Sequence, residues 1–291
     1  MNKTKILVVT HKDFDDSYIS KCREYQIIKV GNNIDNEFAL KKGWLIDNVG
    51  DNISNENPFY FELTAQYWAW KNLDKDVKYI GIVHYRRYFF EYHKKSENYF
   101  RDIISEKEIQ NYLDKYKIIV PFYNVKYPKC SYLYKNKPEN EQDYNWVVIK
   151  RIIDSSYPEM SKIFEQAMEG KISVRGNMFI TTRDIYDEYS KWLFDVLLKY
   201  DNILKQENKE RTARVDGFLS EHLLYVWIKY KFNNKEVLQL ESRNTEQDKF
   251  IDYNNGVIGK MTKIMKCNRK MLEFLKKLRL SLLMCLRGRK N

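Results

Sequence analysis

The sequence predicts an α/β fold with a mostly parallel central sheet, and three observations carry that prediction. Short apolar runs alternate with longer stretches whose apolar residues recur at helical spacing, which is the pattern of strands joined by helices. One run, residues 80–83, is continuously apolar, as in a strand buried on both faces of a parallel sheet. A hydrophobic content of 43% over 291 residues is sufficient for the packed core of one large domain or two modest ones.

The apolar runs place the strands. In chain order, strands are predicted at residues 5–10, 27–31, 80–83, 118–120 and 176–181. The first and third runs are followed by His11 and His84, so polar side chains stand where these strands leave the sheet. A long aromatic stretch at residues 121–142 holds three of the five prolines and is typical of a binding loop or lid.

Helical spacing and capping residues place the helices. They are predicted at residues 57–71, 105–116, 144–154, 158–168, 184–200 and 211–230. Asn57 is the predicted N-cap of the first helix, with Pro58 at its first position. Ser105 and Glu108 have the spacing of a capping box. Within the last stretch, Asp216 is predicted to be an N-cap rather than a catalytic group.

The positive charge is concentrated at the C-terminus. From residue 260 onward there are eleven Lys or Arg residues and one acid, so this segment carries +10 of the net charge of +11. Its apolar residues recur at helical spacing, and a basic amphipathic helix of this kind is typical of binding to an anionic membrane surface. A helix packed on its own domain or on a partner is the alternative. The nearly neutral remainder counts against nucleic-acid binding.

Several classes of protein are disfavoured by what the sequence lacks. The four cysteines are scattered without a CxxC pair, so neither a zinc site nor a disulfide framework is expected, and a reducing, cytoplasmic setting fits. The apolar part of the N-terminus, residues 6–9, is too short for a signal peptide. No stretch approaches the roughly 20 apolar residues that a membrane-spanning helix needs.

Cationic groups follow the central strand. His84, Arg86 and Arg87 stand directly after the apolar run, and ligands of open α/β sheets bind beyond the carboxyl ends of the strands. Strand alternation predicts His84 and Arg86 on one side and Arg87 on the other. Arginine forks match phosphate oxygens, so a diphosphate is the predicted ligand. Pairing with surface carboxylates, and a purely structural histidine, are equally compatible with this pattern.

Several motifs occur in the order found in a known family. They are KILVVTH at residues 5–11, GDNIS at 50–54, ELT followed by YWxWKN at 62–72, GxxHYRRYF at 81–89, NMFI at 177–180, WLF at 192–194 and RxxGFLSE at 214–221. With them the chain resembles bacterial glycosyltransferase-like proteins of capsular and exopolysaccharide gene clusters, long described as a domain of unknown function. The block around HYRRYF is the most specific, and the basic tail lies outside the resemblance.

The resemblance implies a GT-A-like fold and a hexosyltransferase. Residues 1–255 would form one domain, with the donor part at about 1–120 and the acceptor part at about 121–255, followed by a membrane-associating tail at 256–291. The donor would be a UDP-hexose, and some members resemble enzymes that use UDP-galactofuranose. The acceptor would be a lipid-linked oligosaccharide at the inner face of the cell membrane, where the protein would be peripheral, and the transfer would be inverting.

Metal dependence is left open by the resemblance. GT-A enzymes usually hold Mn²⁺ or Mg²⁺ with an Asp-x-Asp sequence at the end of a central strand. In this chain His84, Tyr85 and Arg86 occupy that place. Residues 13–15 match the string but follow the first strand, where a solvated loop is the better interpretation. Arg86 and Arg87 would then neutralise the leaving diphosphate in place of a metal.

The predicted roles cover nine residues. Thr10 and His11 would line the nucleotide end, Asp51 and Asn52 would contact the nucleotide or the donor sugar, His84, Arg86 and Arg87 would hold the diphosphate, and Asn177 would border a sugar. Glu221 would be the general base, with His84 as the second catalytic residue. Two rival hypotheses are a non-catalytic, membrane-associated assembly factor and a protein that binds nucleic acid through its tail.

Overall fold

A computed structural model describes residues 4–91, 102–125, 141–170 and 172–246. The strands are β1 (Thr4–Thr10), β2 (Tyr25–Lys29), β3 (Leu45–Ile46), β4 (Tyr79–His84), β5 (Arg87–Phe90), β6 (Ile118–Pro121), β7 (Asn124–Val125), β8 (Ile172–Ser173), β9 (Phe179–Thr182) and β10 (Val237–Asn244). The helices are α1 (Asn36–Lys41), α2 (Asn57–Tyr60), α3 (Leu63–Asn72), α4 (Glu106–Leu113), α5 (Glu141–Ser156), α6 (Ser161–Gly170), α7 (Arg183–Gln206) and α8 (Val215–Lys231). The predicted tail at 256–291 and residues 126–140 of the aromatic loop lie outside the described residues.

Eight strands form one mixed sheet in the order β3-β2-β1-β4-β5-β10-β6-β9. The part from β3 to β4 is parallel, whereas β5 and β9 run antiparallel to their neighbours. Because β4 also pairs with β9, the strands β4, β5, β10, β6 and β9 close into a five-stranded ring. The α/β class is confirmed, and the sheet is mixed where the sequence predicted a mostly parallel one.

A tight hairpin follows the central strand. β4 ends at His84, the next two residues turn, and Arg87 pairs back with His84 as the first residue of β5. The predicted alternation of His84, Arg86 and Arg87 across one continuous strand is therefore wrong, because the chain reverses between them. Beyond the turn, β5 lies between β4 and β10, which explains why Tyr88, Phe89 and Phe90 are fully buried.

The apolar runs of β1 and β4 are explained by two cores, one on each side of the sheet. Leu7 and Ile82 pack into one core with the helices α3, α5, α7 and α8. Val8 and Val83, the next residues along each strand, pack into the other core. The prediction of a strand buried on both faces is confirmed for β4. Gly81 lacks a side chain where β9 approaches: a Cβ there would lie 2.8 Å from the carbonyl oxygen of Phe179.

The caps were predicted with mixed success. Ser105 and Glu108 form the predicted capping box of α4, with both reciprocal hydrogen bonds present. The helix predicted from Asn57 is instead broken into α2 and α3 at Phe61, whose φ is +51°. Asn57 is not an N-cap, since its side chain donates to the Phe61 carbonyl oxygen at 3.0 Å and spans the break. No helix in the described ranges is long and apolar enough to cross a membrane.

The predicted N-cap at the start of α8 is also wrong. Arg214 occupies the cap position, with φ at +67°. Asp216 lies inside the first turn, fully buried, and its carboxylate faces the guanidinium of Arg211 at 3.4 Å. The buried arginine accounts for the difference, because it gives the carboxylate a stronger partner than the backbone N–H groups of a cap would.

Candidate functional site

A cavity of about 360 Å³ opens at the carboxyl ends of β1, β2 and β4. Val9, Val30 and His84 contribute its wall on the side of the sheet, and residues from 54 to 62 contribute the opposite wall. This is the edge of a parallel sheet at which α/β proteins bind ligands. Of the described residues that line this donor cavity, His11, Glu62 and His84 are ionisable.

The ring of His84 is held in one tautomer. Its Nε2 lies 2.6 Å from the carbonyl oxygen of Gly176, and because a carbonyl can only accept, Nε2 carries the hydrogen. Burial lowers the pKa of His84, and it outweighs the nearby carboxylate of Glu62, which acts in the opposite direction. The imidazole is therefore neutral at pH 7, and its other nitrogen is an acceptor.

The turn that holds His84 is clamped by α8. The carboxylate of Glu221 accepts from the N–H of Gly176 at 2.7 Å, and its backbone carbonyl accepts from Val174 N–H, also at 2.7 Å. Glu221 is buried, with 7% of its surface exposed, and it does not line the donor cavity. Its position is that of a residue that supports the 174–177 turn.

Asn177 fixes the carboxylate of Glu62. Its Nδ2 donates to Glu62 Oε1 at 2.9 Å and to the carbonyl oxygen of Gly217 at 3.1 Å. Asn177 itself is buried, so the hydrogen bond holds Glu62 against a rigid support while the rest of the carboxylate faces the cavity. The break between α2 and α3 places Glu62 here, because the chain changes direction at Phe61, one residue earlier.

Unusual backbone conformations gather around Glu62. Phe61, Asn177 and Arg214 have φ values of +51° to +67°, where side chains other than glycine cost on the order of 1–3 kcal/mol. Phe61 precedes Glu62, Asn177 binds it, and the guanidinium of Arg214 lies over the Phe61 ring at 4.2 Å. Such strain persists where the surrounding structure enforces it and is concentrated at functional sites.

Cations surround the mouth of the cavity near His11. Burial lowers the pKa of His11, and Arg86, Lys12 and Arg214 lower it further. Glu246 partly answers these charges, with oxygens 2.8 Å from Lys12 Nζ and 3.4 Å from Arg86 Nη1. The mouth therefore suits an anion that competes with one carboxylate.

Three predicted residues lie outside the lining of this cavity. Thr10 is buried, and its hydroxyl is used by the backbone of Lys12. Asp51 accepts from the Tyr67 hydroxyl, and Asn52 accepts from Ser54 in a local turn. The structure brings together His11, His84 and Asn177, with Arg86 and Arg87 on the adjacent hairpin. The roles predicted for Thr10, Asp51 and Asn52 stay predictions.

Glu62 is the residue that the sequence did not single out. It belongs to the ELT motif, and its signal was hidden because an unbroken helix from Asn57 placed it beside an aromatic stripe on a packed surface. The break at Phe61 turns it into the cavity instead.

The end of the central strand does not fit a divalent cation. The Nε2 hydrogen of His84 is directed at a carbonyl, and the next charged groups are Arg86 and Arg87. Asp13 is bound to Lys42 at 2.7 Å, and Asp15 accepts from the N–H of Ser17. Within the described ranges no three His, Cys, Asp or Glu residues are grouped so that they could hold a metal ion. No step below is therefore assigned to a metal.

The fold and this cavity define an α/β domain with an anion-accepting site at the parallel edge of its sheet. The chain belongs to the family described as Domain of unknown function (DUF4422), which matches residues 5–234. The match confirms the family-level part of the resemblance and covers nearly the same residues.

Solved structures show what the fold is similar to. A structure described as the WbbM bifunctional glycosyltransferase in its apo form is 23% identical, with a TM-score of 0.63 over 84% of this chain. This chain spans 45% of that protein. The mannosyltransferase Ktr4p from S. cerevisiae is 12% identical over 68% of this chain and 62% of its own, with a TM-score of 0.31 that supports no argument. No curated protein matches the sequence. The shared fold with a glycosyltransferase is thus established at the level of architecture.

Proposed function

We propose that this protein is a glycosyltransferase that binds a nucleotide-sugar in the donor cavity. The observation that carries the proposal is the convergence of Glu62, His11 and His84 in a cavity at the parallel edge of the sheet, beside a cationic mouth. The fold likeness to a glycosyltransferase supports it. A diphosphate is the anion that best uses a mouth of Lys and Arg groups next to a carboxylate-bearing cavity.

In the proposed reaction Glu62 is the general base. An acceptor hydroxyl gives its proton to the carboxylate as its oxygen bonds to the anomeric carbon of the donor sugar. The bond from that carbon to the phosphate oxygen breaks, and its electron pair leaves with the diphosphate, whose charge Arg86 and Arg87 stabilise. A single displacement of this kind inverts the anomeric configuration. Glu221 supports the 174–177 turn and has no direct part in the reaction.

The finer assignments belong to the same proposal. The donor is a UDP-hexose, with UDP-galactofuranose as one candidate, and the acceptor is a lipid-linked oligosaccharide of capsular or exopolysaccharide synthesis. The test is a screen of UDP-, GDP- and CDP-sugars for thermal stabilisation of the full chain, because a ligand that binds only the folded state raises the melting temperature. A protein that no nucleotide-sugar stabilises would contradict the proposal, and a non-catalytic assembly factor would replace it.

The hairpin arginines give a direct prediction. Arg86→Ala and Arg87→Ala should each lower kcat/KM for the donor at least tenfold, because a hydrogen bond to a charged group contributes about 1.5–3 kcal/mol. The melting temperature should change little for Arg86, which is 35% exposed. Steady-state kinetics with the nucleotide-sugar found in the screen measure the effect. Arg151→Ala is the control, since this exposed arginine pairs with Glu207 on α7. Near-normal turnover in both hairpin variants would remove the diphosphate from this position.

The basic tail is proposed to hold the enzyme on an anionic membrane. Near such a surface each Lys or Arg contributes about 1 kcal/mol, so replacing Lys276, Lys277 and Arg279 by Gln in the full chain should weaken partitioning by a factor on the order of 10². Sedimentation with phosphatidylserine-containing vesicles measures it. A control with Lys41, Lys107 and Lys235 replaced by Gln removes the same charge from the body. Equal losses in both variants, or no sedimentation of the unmodified protein at low salt, would refute this part of the proposal.

A further inference from the structure

A second cavity, of about 780 Å³, lies on the helical side of the domain. We call it the aromatic groove, and its rings are Tyr60, Tyr67, Trp70, Tyr157, Trp192 and Phe194. It is separate from the donor cavity, although one short segment serves both: Ser54 and Asn55 line the donor cavity, whereas Ile53 and Glu56 line the groove. Neither His84 nor Glu62 reaches it. The proposed transfer reaction therefore makes no use of this groove.

The rings of the groove are held rigidly by one another. Trp70 and Phe194 are nearly parallel, at 5° and 6.0 Å between centroids, and the edge of Tyr67 meets both at 5.7 and 5.1 Å. Tyr67, Trp70 and Tyr157 are only half-buried, so part of each ring remains available. Aromatic surface that is already fixed binds a ligand with little further loss of side-chain freedom.

Two polar groups in the wall lack a partner. Trp192 is 8% exposed and Asp201 is 5% exposed. Among the described residues, the indole N–H of Trp192 and Oδ1 of Asp201 have no hydrogen-bond partner. One is a donor and the other belongs to a carboxyl group, and leaving either unsatisfied costs about 1–3 kcal/mol. A ligand that both donates and accepts hydrogen bonds would satisfy the two together.

The charges of the groove are balanced. Its ionisable lining consists of Lys71, Lys191, Lys199 and Lys205 against Glu56, Glu188, Asp195 and Asp201, with Tyr60, Tyr67 and Tyr157 as phenols. Equal numbers of cations and anions give no attraction to a polyanion such as a nucleotide or a nucleic acid. A wholly apolar ligand would bury these groups without hydrogen bonds, which is costly. A neutral polyhydroxylated ligand fits both the rings and the charges.

We propose that the aromatic groove binds a neutral oligosaccharide. The C–H faces of its sugar rings would pack on Tyr67, Trp70 and Tyr157, and its hydroxyl groups would reach the polar wall at Trp192 and Asp201. The volume lies within the range of ordinary ligand cavities, about 300–1,000 Å³. This site is a binding site and takes no part in bond making. It does not depend on the proposed transfer activity, and the two can fail separately.

The experiment presents fluorescently labelled full-length protein to an array of neutral oligosaccharides built from galactose, glucose, mannose and rhamnose, and then measures the affinity of each hit by calorimetry. At least one should bind. Trp70→Ala should weaken it at least tenfold, since it removes aromatic contact area. Trp192→Phe should weaken it by about threefold to tenfold, the value of one neutral hydrogen bond, while leaving the melting temperature of the unbound protein unchanged or higher. Phe38→Ala, at a 37% exposed ring on α1, should bind as the unmodified protein does.

The outcomes separate the two sites. Binding that Trp70→Ala and Trp192→Phe weaken, with the thermal response to nucleotide-sugar intact, supports the groove. An array without hits refutes it, as does binding that both groove variants leave unchanged or that Phe38→Ala weakens equally. If the arginine variants of the hairpin abolish the response to nucleotide-sugar but leave oligosaccharide affinity as it was, the groove stands independently of the donor site.

Discussion

Glu62→Gln should lower kcat by a factor on the order of 10²–10⁴, the usual contribution of a general base. The amide cannot take the acceptor proton, yet its shape is unchanged and its oxygen can still accept from Asn177, which now holds Glu62 at 2.9 Å. Affinity for the nucleotide-sugar should stay close to that of the unmodified protein. Single-turnover kinetics with saturating donor, together with calorimetry of donor binding, measure the two quantities separately.

Two further variants make this result specific. Glu37→Gln changes a carboxylate on α1 that is 73% exposed, and its kcat should be unaffected. Glu221→Gln tests the base predicted from the sequence. Because Glu221 supports Gly176 and lies outside the cavity lining, its replacement should act through the turn and lower stability and kcat together. Normal rates in Glu62→Gln, with rates lost in a stably folded Glu221→Gln, would return the role of base to Glu221.

Arg211→Met should destabilise the fold by about 3–5 kcal/mol, the usual loss when one partner of a buried ionic cluster is removed. The guanidinium lies 2.8 Å from Asp201 and 3.4 Å from Asp216, and it also binds Glu56. Both aspartates are buried, so without the arginine their charges have no compensation. Urea denaturation followed by circular dichroism measures the loss. Arg151→Met, at a 54% exposed side chain, should cost about 0–1 kcal/mol.

The same variant has a pH dependence whose sign follows from the carboxyl groups. Burial raises the pKa of Asp216 well above its ordinary value, and it raises the pKa of Asp201 as well. The folded state therefore holds these protons more tightly than the unfolded state, so stability falls as pH rises from about 4 through the raised values. Removing Arg211 raises them further. The loss in Arg211→Met should be larger at pH 8 than at pH 5, and a loss that is the same at both would contradict the account.

How far the sequence predicts this structure depends on how local the determinant is. The burial of β4 and the capping box of α4 were predictable because a few adjacent residues decide them. The closure of the ring was not, since the pairing of Gly81 with Ile180 joins strands far apart in the chain and neither run carries a signal of direction. The break at Phe61 was hidden because Asn57 followed by Pro58 is also how an unbroken helix begins. The site was predictable in part, as the motif after β4 locates it, while Glu62 depended on that break.

The ring formed by β4, β5, β10, β6 and β9 has a consequence for association between chains. An open sheet has two outer strands whose unpaired N–H and C=O groups can recruit another chain. Here β9 returns to pair with β4, so within the described ranges the eight-stranded sheet ends in one outer strand, β3, which is two residues long. So short a strand offers little template for the addition of a foreign strand. The closure that shapes the site thus also protects the sheet from edge-to-edge aggregation.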